Sequence, residues 1–182
     1  MISAPQTIVL VPLGSVDTGT LEYLKSALPV QFHAAVQVGE AMPVPGDTFD
    51  ARRKQYNSSK ILEHLFDARR DPRQRWLGVT ESDLFVPTLN FVFGEADSQH
   101  HIAVISLARL HEEFFRRKSD PALFHLRALK EAVHELGHSY GLTHCSNFRC
   151  VMFFSNSLAD TDRKSSNFCE SHRREVEAAM KK

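Results

Sequence analysis

Apolar positions along the chain fall into short continuous runs and longer helical stripes. Thr7–Leu13 (TIVLVPL) is a continuous apolar run of strand length, broken by Gly14. Asp17 or Thr18 can cap a helix reaching Leu28, with Leu21, Leu24 and Leu28 on one face. Phe32–Val38 reads as a second strand, and Gly39–Asp50, carrying Pro43, Pro45 and Gly46, as an irregular loop. Ile61, Leu62, Leu65 and Phe66 give a stripe that predicts a helix over Ser58–Arg69. A charged turn follows, in which Arg69, Arg70, Arg73 and Arg75 are expected to be solvated. Trp76–Thr80, Leu89–Phe93 and Ile102–Leu107 read as three further strands. The last two are separated by a polar turn near Asp97–His100, so Leu89–Phe93 is expected as an antiparallel edge.

A long helix is predicted next. Asp120 is placed to cap it, Pro121 suits its first turn, and the apolar period continues to Tyr140, where Gly141 can end it in a left-handed conformation. The polar tail after Cys169 is also expected to be helical. Strand–helix alternation then predicts the α/β (α+β) class, with a mixed, mostly parallel, twisted sheet flanked by helices. The length of 182 residues suits a single domain over 1–182, its sheet part about 1–118 and its active-site helix and C-terminal part about 119–182.

Composition narrows the functional classes. Lys+Arg and Asp+Glu each number 22, so no global basic field attracts nucleic acid. No apolar run is long enough to span a bilayer, and no positively charged leader precedes Lys25, so membrane insertion and a signal peptide are not expected. The three Cys cannot pair completely, which argues against a secreted disulfide scaffold. A cytoplasmic, monomeric protein is the expectation.

The chemistry is concentrated in Val133–Cys145, VHELGHSYGLTHC. His134 and His138 are four apart on a helix, so both imidazoles can share one metal ion. Glu135, rotated about 100° from His134, can reach a water on that metal. A turn at Gly141 lets His144 return as a third ligand, which leaves zinc the open position that catalysis needs. The short H-E-x-x-H pattern would arise in about 4% of shuffled chains. Adding Gly141 and His144 lowers that to roughly one in ten thousand, so the long motif carries the signal. Cys145 with Cys150, and Cys169 with His172, have spacings that suit a second, closed, structural zinc. Two zinc ions are therefore expected.

HELGHSYGLTH, the adjoining Cys145, Cys150-Val151-Met152, Cys169 and its partner, and more loosely DLFVPTLNFVFGEAD, resemble the archaemetzincins, a branch of the metzincin zinc metallopeptidases. The resemblance implies a metzincin-like fold and peptide-bond hydrolysis. His134, His138 and His144 would hold the catalytic zinc, with Glu135 as general base. Met152 would form the turn beneath the metal, and Cys145, Cys150, Cys169 and His172 would hold the structural zinc. His172 departs from the family pattern, which has a fourth Cys at that place. The resemblance also implies a peptide or protein substrate laid along Leu89, Asn90, Phe91, Val92, Phe93 and Gly94, with aminopeptidase or short-peptide action as a family-level expectation. The competing expectation is a silent or self-blocked zinc protein that uses the same scaffold to bind a peptide or protein partner.

Overall fold

The computed structural model describes residues 7–181. In chain order these form β1 (Thr7–Leu13), α1 (Thr18–Ala27), α2 (Pro29–Phe32), β2 (Ala35–Val38), β3 (Phe49–Asp50), β4 (Gln55–Asn57), α3 (Ser58–Ala68), β5 (Gln74–Thr80), β6 (Leu84–Phe85), β7 (Gly94–Asp97), β8 (Ile102–Ser106), α4 (Pro121–Ser139), α5 (Leu158–Arg163) and α6 (Glu170–Ala179). The main sheet has the order β2-β1-β5-β8-β7. Its first four strands are parallel, and β7 runs antiparallel against β8 at the edge, with Gly94 opposite Ile105 and Asp97 opposite Ile102. A short sheet β3-β4-β6 lies outside it.

The continuous apolar runs of β1 and β8 follow from burial on both faces. Ile8, Leu10, Ala103 and Ile105 join the core under α1 and α4, while Val9, Val11, Ile102 and Val104 pack against Ile61, Leu62 and Leu65 of α3. Asp17 caps α1 through the Thr20 amide at 2.8 Å, and Asp120 caps α4 through the Leu123 amide at 3.0 Å. Among the described residues, no helix is long and apolar enough to cross a membrane.

Three local expectations are corrected. Phe32–Val38 is not one strand, because Phe32 closes α2 and only Ala35–Val38 pairs with β1. Leu89–Phe93 is not the edge strand; that role belongs to β7. The Leu89 and Asn90 carbonyls are taken by side chains, Arg53 Nη1 at 3.0 Å and Gln55 Nε2 at 3.0 Å, and Phe91 packs edge-on against Phe93. The apolar alternation there builds a cavity wall. Arg75, expected in solvent, is buried in β5. Its guanidinium lies 3.5 Å from the centre of the Tyr140 ring and donates to the Ser139 carbonyl, so it satisfies a backbone group that the end of α4 leaves open.

Candidate metal centre and active site

The centre grows from the last two turns of α4. His134 and His138 lie on one face, and the helix stops at Tyr140. Gly141 has φ +89 and nothing near its missing Cβ, so backbone conformation alone calls for glycine there. The Leu142 amide then bonds the Gly137 carbonyl at 3.1 Å, and the reversed chain brings His144 back over the helix.

Each helical imidazole is oriented through its Nδ1. That of His134 lies 2.8 Å from the Val151 carbonyl, and that of His138 lies 2.7 Å from the Leu142 carbonyl. Carbonyls only accept, so both Nδ1 atoms carry the proton and both Nε2 lone pairs face inward. His138 Nε2 stands 3.1 Å from His134 Nε2 and 3.2 Å from His144 Nε2. Two nitrogens at 2.0–2.1 Å from a tetrahedral zinc are about 3.3 Å apart, so the spacing fits this ion. Burial pushes His134 well below the ordinary histidine value, with Lys164 and the other two imidazoles adding to it. Burial likewise takes His138 down to about 4 and, with Lys164, lowers His144. Neutral imidazole is the form that binds metal.

Glu135 is buried one residue along. Burial pushes its carboxyl well above the usual range, and the nearby carboxylates Glu131 and Glu95 push the same way against the Lys164 cation. Glu131, one turn earlier on α4, accepts from Thr161 Oγ1 at 2.9 Å and lies 3.0 Å from Lys164 Nζ. Lys164 Nζ is wholly buried and makes this ion pair without a well-aligned hydrogen bond. Lys130 donates to the Thr161 and Asp162 carbonyls, and Arg127 forks onto Asp162 at 2.6 and 2.7 Å. α4 thus holds the chain from α5 to Lys164 directly behind the imidazoles. Met152 is fully buried, and a Cβ on Gly137, between His134 and His138 on α4, would stand 2.5 Å from its sulfur.

The second cluster lies on the far side of the same turn. Cys145 Sγ is 3.9 Å from Cys169 Sγ, and Cys169 Sγ is 3.2 Å from His172 Nδ1. His172 Nε2 sits 3.2 Å from the Thr143 carbonyl, which leaves Nδ1 as the atom free to ligate. The Cys169 amide donates to Cys150 Sγ at 3.2 Å. Two thiolates at 2.3 Å from a tetrahedral zinc are about 3.8 Å apart, so this donor set also fits. Burial pushes the Cys150 thiol up to about 12. Burial acts the same way on Cys169, but hydrogen bonds with His172, Cys150 and Cys145 outweigh it and bring that thiol to about 7. The four donor atoms lie within 4.8 Å of one another, as do the three imidazole nitrogens.

A cavity of about 650 Å³ opens in front of the imidazoles. Leu89, Asn90, Phe91, Val92, Phe93 and Gly94 form one wall of it; Leu142, His144 and Phe154 form another, and Glu131, His134 and Glu135 lie at its back. The ligand residues singled out from the sequence therefore gather in the two clusters, Glu135 and Leu89–Gly94 line the cavity, and Met152 lies buried against Gly137. Sequence reasoning missed Glu131 and Lys164. Glu131 had a signal, its spacing of four from Glu135, whereas Lys164 reaches the site only through the tertiary fold.

Comparison with known proteins identifies the family. The model of peptidase family M54 matches residues 26–178. The archaemetzincin of Pyrococcus furiosus is 41% identical over 179 residues, covering 95% of this chain and 93% of that one. The crystal structure of archaemetzincin from Methanopyrus kandleri superposes with a TM-score of 0.86 at 32% identity, covering 98% of this chain and 97% of that one. A protein of Methanocorpusculum labreanum, described as a zinc-dependent peptidase, gives 0.85 at 29% identity, covering 93% and 99%. The chain belongs to peptidase family M54, the archaemetzincin family of zinc metallopeptidases.

Proposed function

We propose that the chain hydrolyses peptide bonds with a catalytic zinc on His134, His138 and His144, and that Cys145, Cys150, Cys169 and His172 hold a second, structural zinc. The convergence of three neutral Nε2 atoms at 3.1 and 3.2 Å carries this reading. The inward Nε2 lone pairs of His134 and His138 repel one another, and a cation shared by the three imidazoles removes that conflict. Zinc bound there supplies Lewis acidity toward a water and the scissile carbonyl.

The chain's own residues supply the rest. Glu135 takes a proton from the attacking water as its oxygen bonds the carbonyl carbon, then delivers it to the nitrogen as the C–N bond breaks. An extended peptide runs along the open edge of β7 by β-augmentation, with Leu89–Phe93 forming the apolar wall above it. Met152, buried against Gly137 of α4, forms the turn beneath the metal. His144 is exposed at the mouth of the cavity, so the centre is reachable from solvent, which counts against the silent, self-blocked alternative.

The test is a diverse peptide library incubated with zinc-loaded protein and read by mass spectrometry, with Glu135→Gln in parallel. Cleavage by the parent alone supports the reading. Equal cleavage by both removes Glu135 from the mechanism, and silence from both with two zincs bound favours a binding role. Matched peptides with free and blocked amino termini separate aminopeptidase action from internal cleavage.

A further inference from the structure

We infer that Gly94 is a positioning residue for Glu135: its missing side chain is the space that the Glu135 side chain occupies. The inference rests on the reading of Glu135 as general base. Gly94 opens β7, and α4 packs across β7 and β8, so the helix presents Glu135 to the start of the edge strand. A Cβ on Gly94 would stand 2.5 Å from Glu135 Cγ and 2.8 Å from Glu135 Cδ. Carbon atoms in ordinary contact are about 3.5–4.0 Å apart, so one methyl group asks the carboxylate stem to move by about 1 Å.

Backbone freedom does not explain this glycine, because the positive-φ glycines among the described residues are Gly14 and Gly141. Nor can the stem easily give way. Cγ is the second side-chain carbon on a buried helix, Glu135 is only 5% exposed, and the Glu131–Lys164 pair lies behind it. The same Cβ would also meet the Val104 carbonyl oxygen at 2.6 Å, within the β7–β8 pairing. Two constraints therefore meet at Gly94, one from the sheet and one from the general base. The second makes it part of the active centre, in addition to the substrate contact that the family resemblance implies for it.

A double-mutant cycle on the zinc-loaded full chain separates the two constraints. Parent, Gly94→Ala, Glu135→Ala and the combined variant are compared for Tm, zinc content and cleavage of the library peptide that the parent cuts fastest. Gly94→Ala is expected to keep its zinc, to lose about 100-fold in kcat, the usual cost of a 1 Å misplacement, and to change KM far less. It is also expected to lower Tm more in the parent than in the Glu135→Ala background, where Cγ and Cδ are gone. Should Gly94→Ala fail to fold, recovery of a folded chain in the combined variant supports the inference. Equal Tm losses in both backgrounds, no folded combined variant, or an unchanged kcat overturns it and assigns Gly94 to the Val104 contact alone. A parent that cleaves nothing overturns the peptidase reading, and the Tm cycle still decides the contact.

Discussion

The two ligand clusters share a turn of chain but are built differently. Two of the three imidazoles ride on α4, a helix capped at Asp120 and buried along most of its length, so their positions follow from the core. The Cys/His cluster draws its ligands from the irregular stretch between α4 and α5 and from the start of α6, where little regular structure holds the chain. The first site is thus assembled by the fold. On the proposed reading, a metal at the second would add to the packing of Cys150, Val151, Met152 and Phe168 in holding the segment folded. The clusters are also linked: the Val151 carbonyl that orients His134 lies between Cys150 and Cys169, and the Leu142 carbonyl that orients His138 lies three residues before Cys145.

The largest effect follows from breaking the second cluster. Cys150→Ser is expected to remove its zinc, whose binding contributes on the order of 10 kcal/mol in small zinc domains, and to open the segment after Gly141 to limited proteolysis. Activity should fall with it. His138→Ala should abolish activity at a much smaller loss of Tm. Equal Tm losses in the two variants would erase the distinction between the sites. Glu135→Gln sharpens it further: kcat should drop about 100- to 10,000-fold at unchanged zinc content, measured by single-turnover cleavage.

Next comes Lys164→Met, which strands the buried Glu131 carboxylate beside Glu135. Loss of one partner of a buried pair costs about 3–5 kcal/mol, read by urea unfolding. Adding Glu131→Gln should recover most of that loss, and no recovery would show that the pair is not the reason for it. The smallest effect concerns protons in the metal-free protein. His138 is held at about 4, against an ordinary value of 6.5. Between those values the unfolded chain takes up a proton that the folded chain resists, so stability is fully present above 6.5 and lost as pH falls toward about 4. The parent should therefore lose stability relative to His138→Gln across that window, and parallel pH profiles would contradict the shift.

Much of this was legible in the sequence because it is written locally. Asp120, Pro121 and Gly141 mark the ends of α4 by capping and left-handed geometry, and the four-residue spacing of His134 and His138 places both on one face. The edge strand is not legible in the sequence because GEAD has no strand-like composition; β7 exists because β8 offers it a partner. Leu89–Phe93 has the right alternation, but its Leu89 and Asn90 carbonyls are bound by Arg53 and Gln55. Arg75 and Lys164 look like surface charges until the end of α4 and Glu131 are folded onto them. The resemblance marks Gly94 as a substrate contact, and its approach to Glu135 becomes visible only when helix and sheet are packed.

Stepwise removal of zinc with a chelator, following metal content, peptide cleavage and unfolding on the same samples, tests the division of roles most directly. Two zincs per chain are expected. The first to leave should take the activity and little of the Tm, and the second should take the fold of the C-terminal segment. A single zinc per chain, or activity and Tm lost together with the first equivalent, would contradict it.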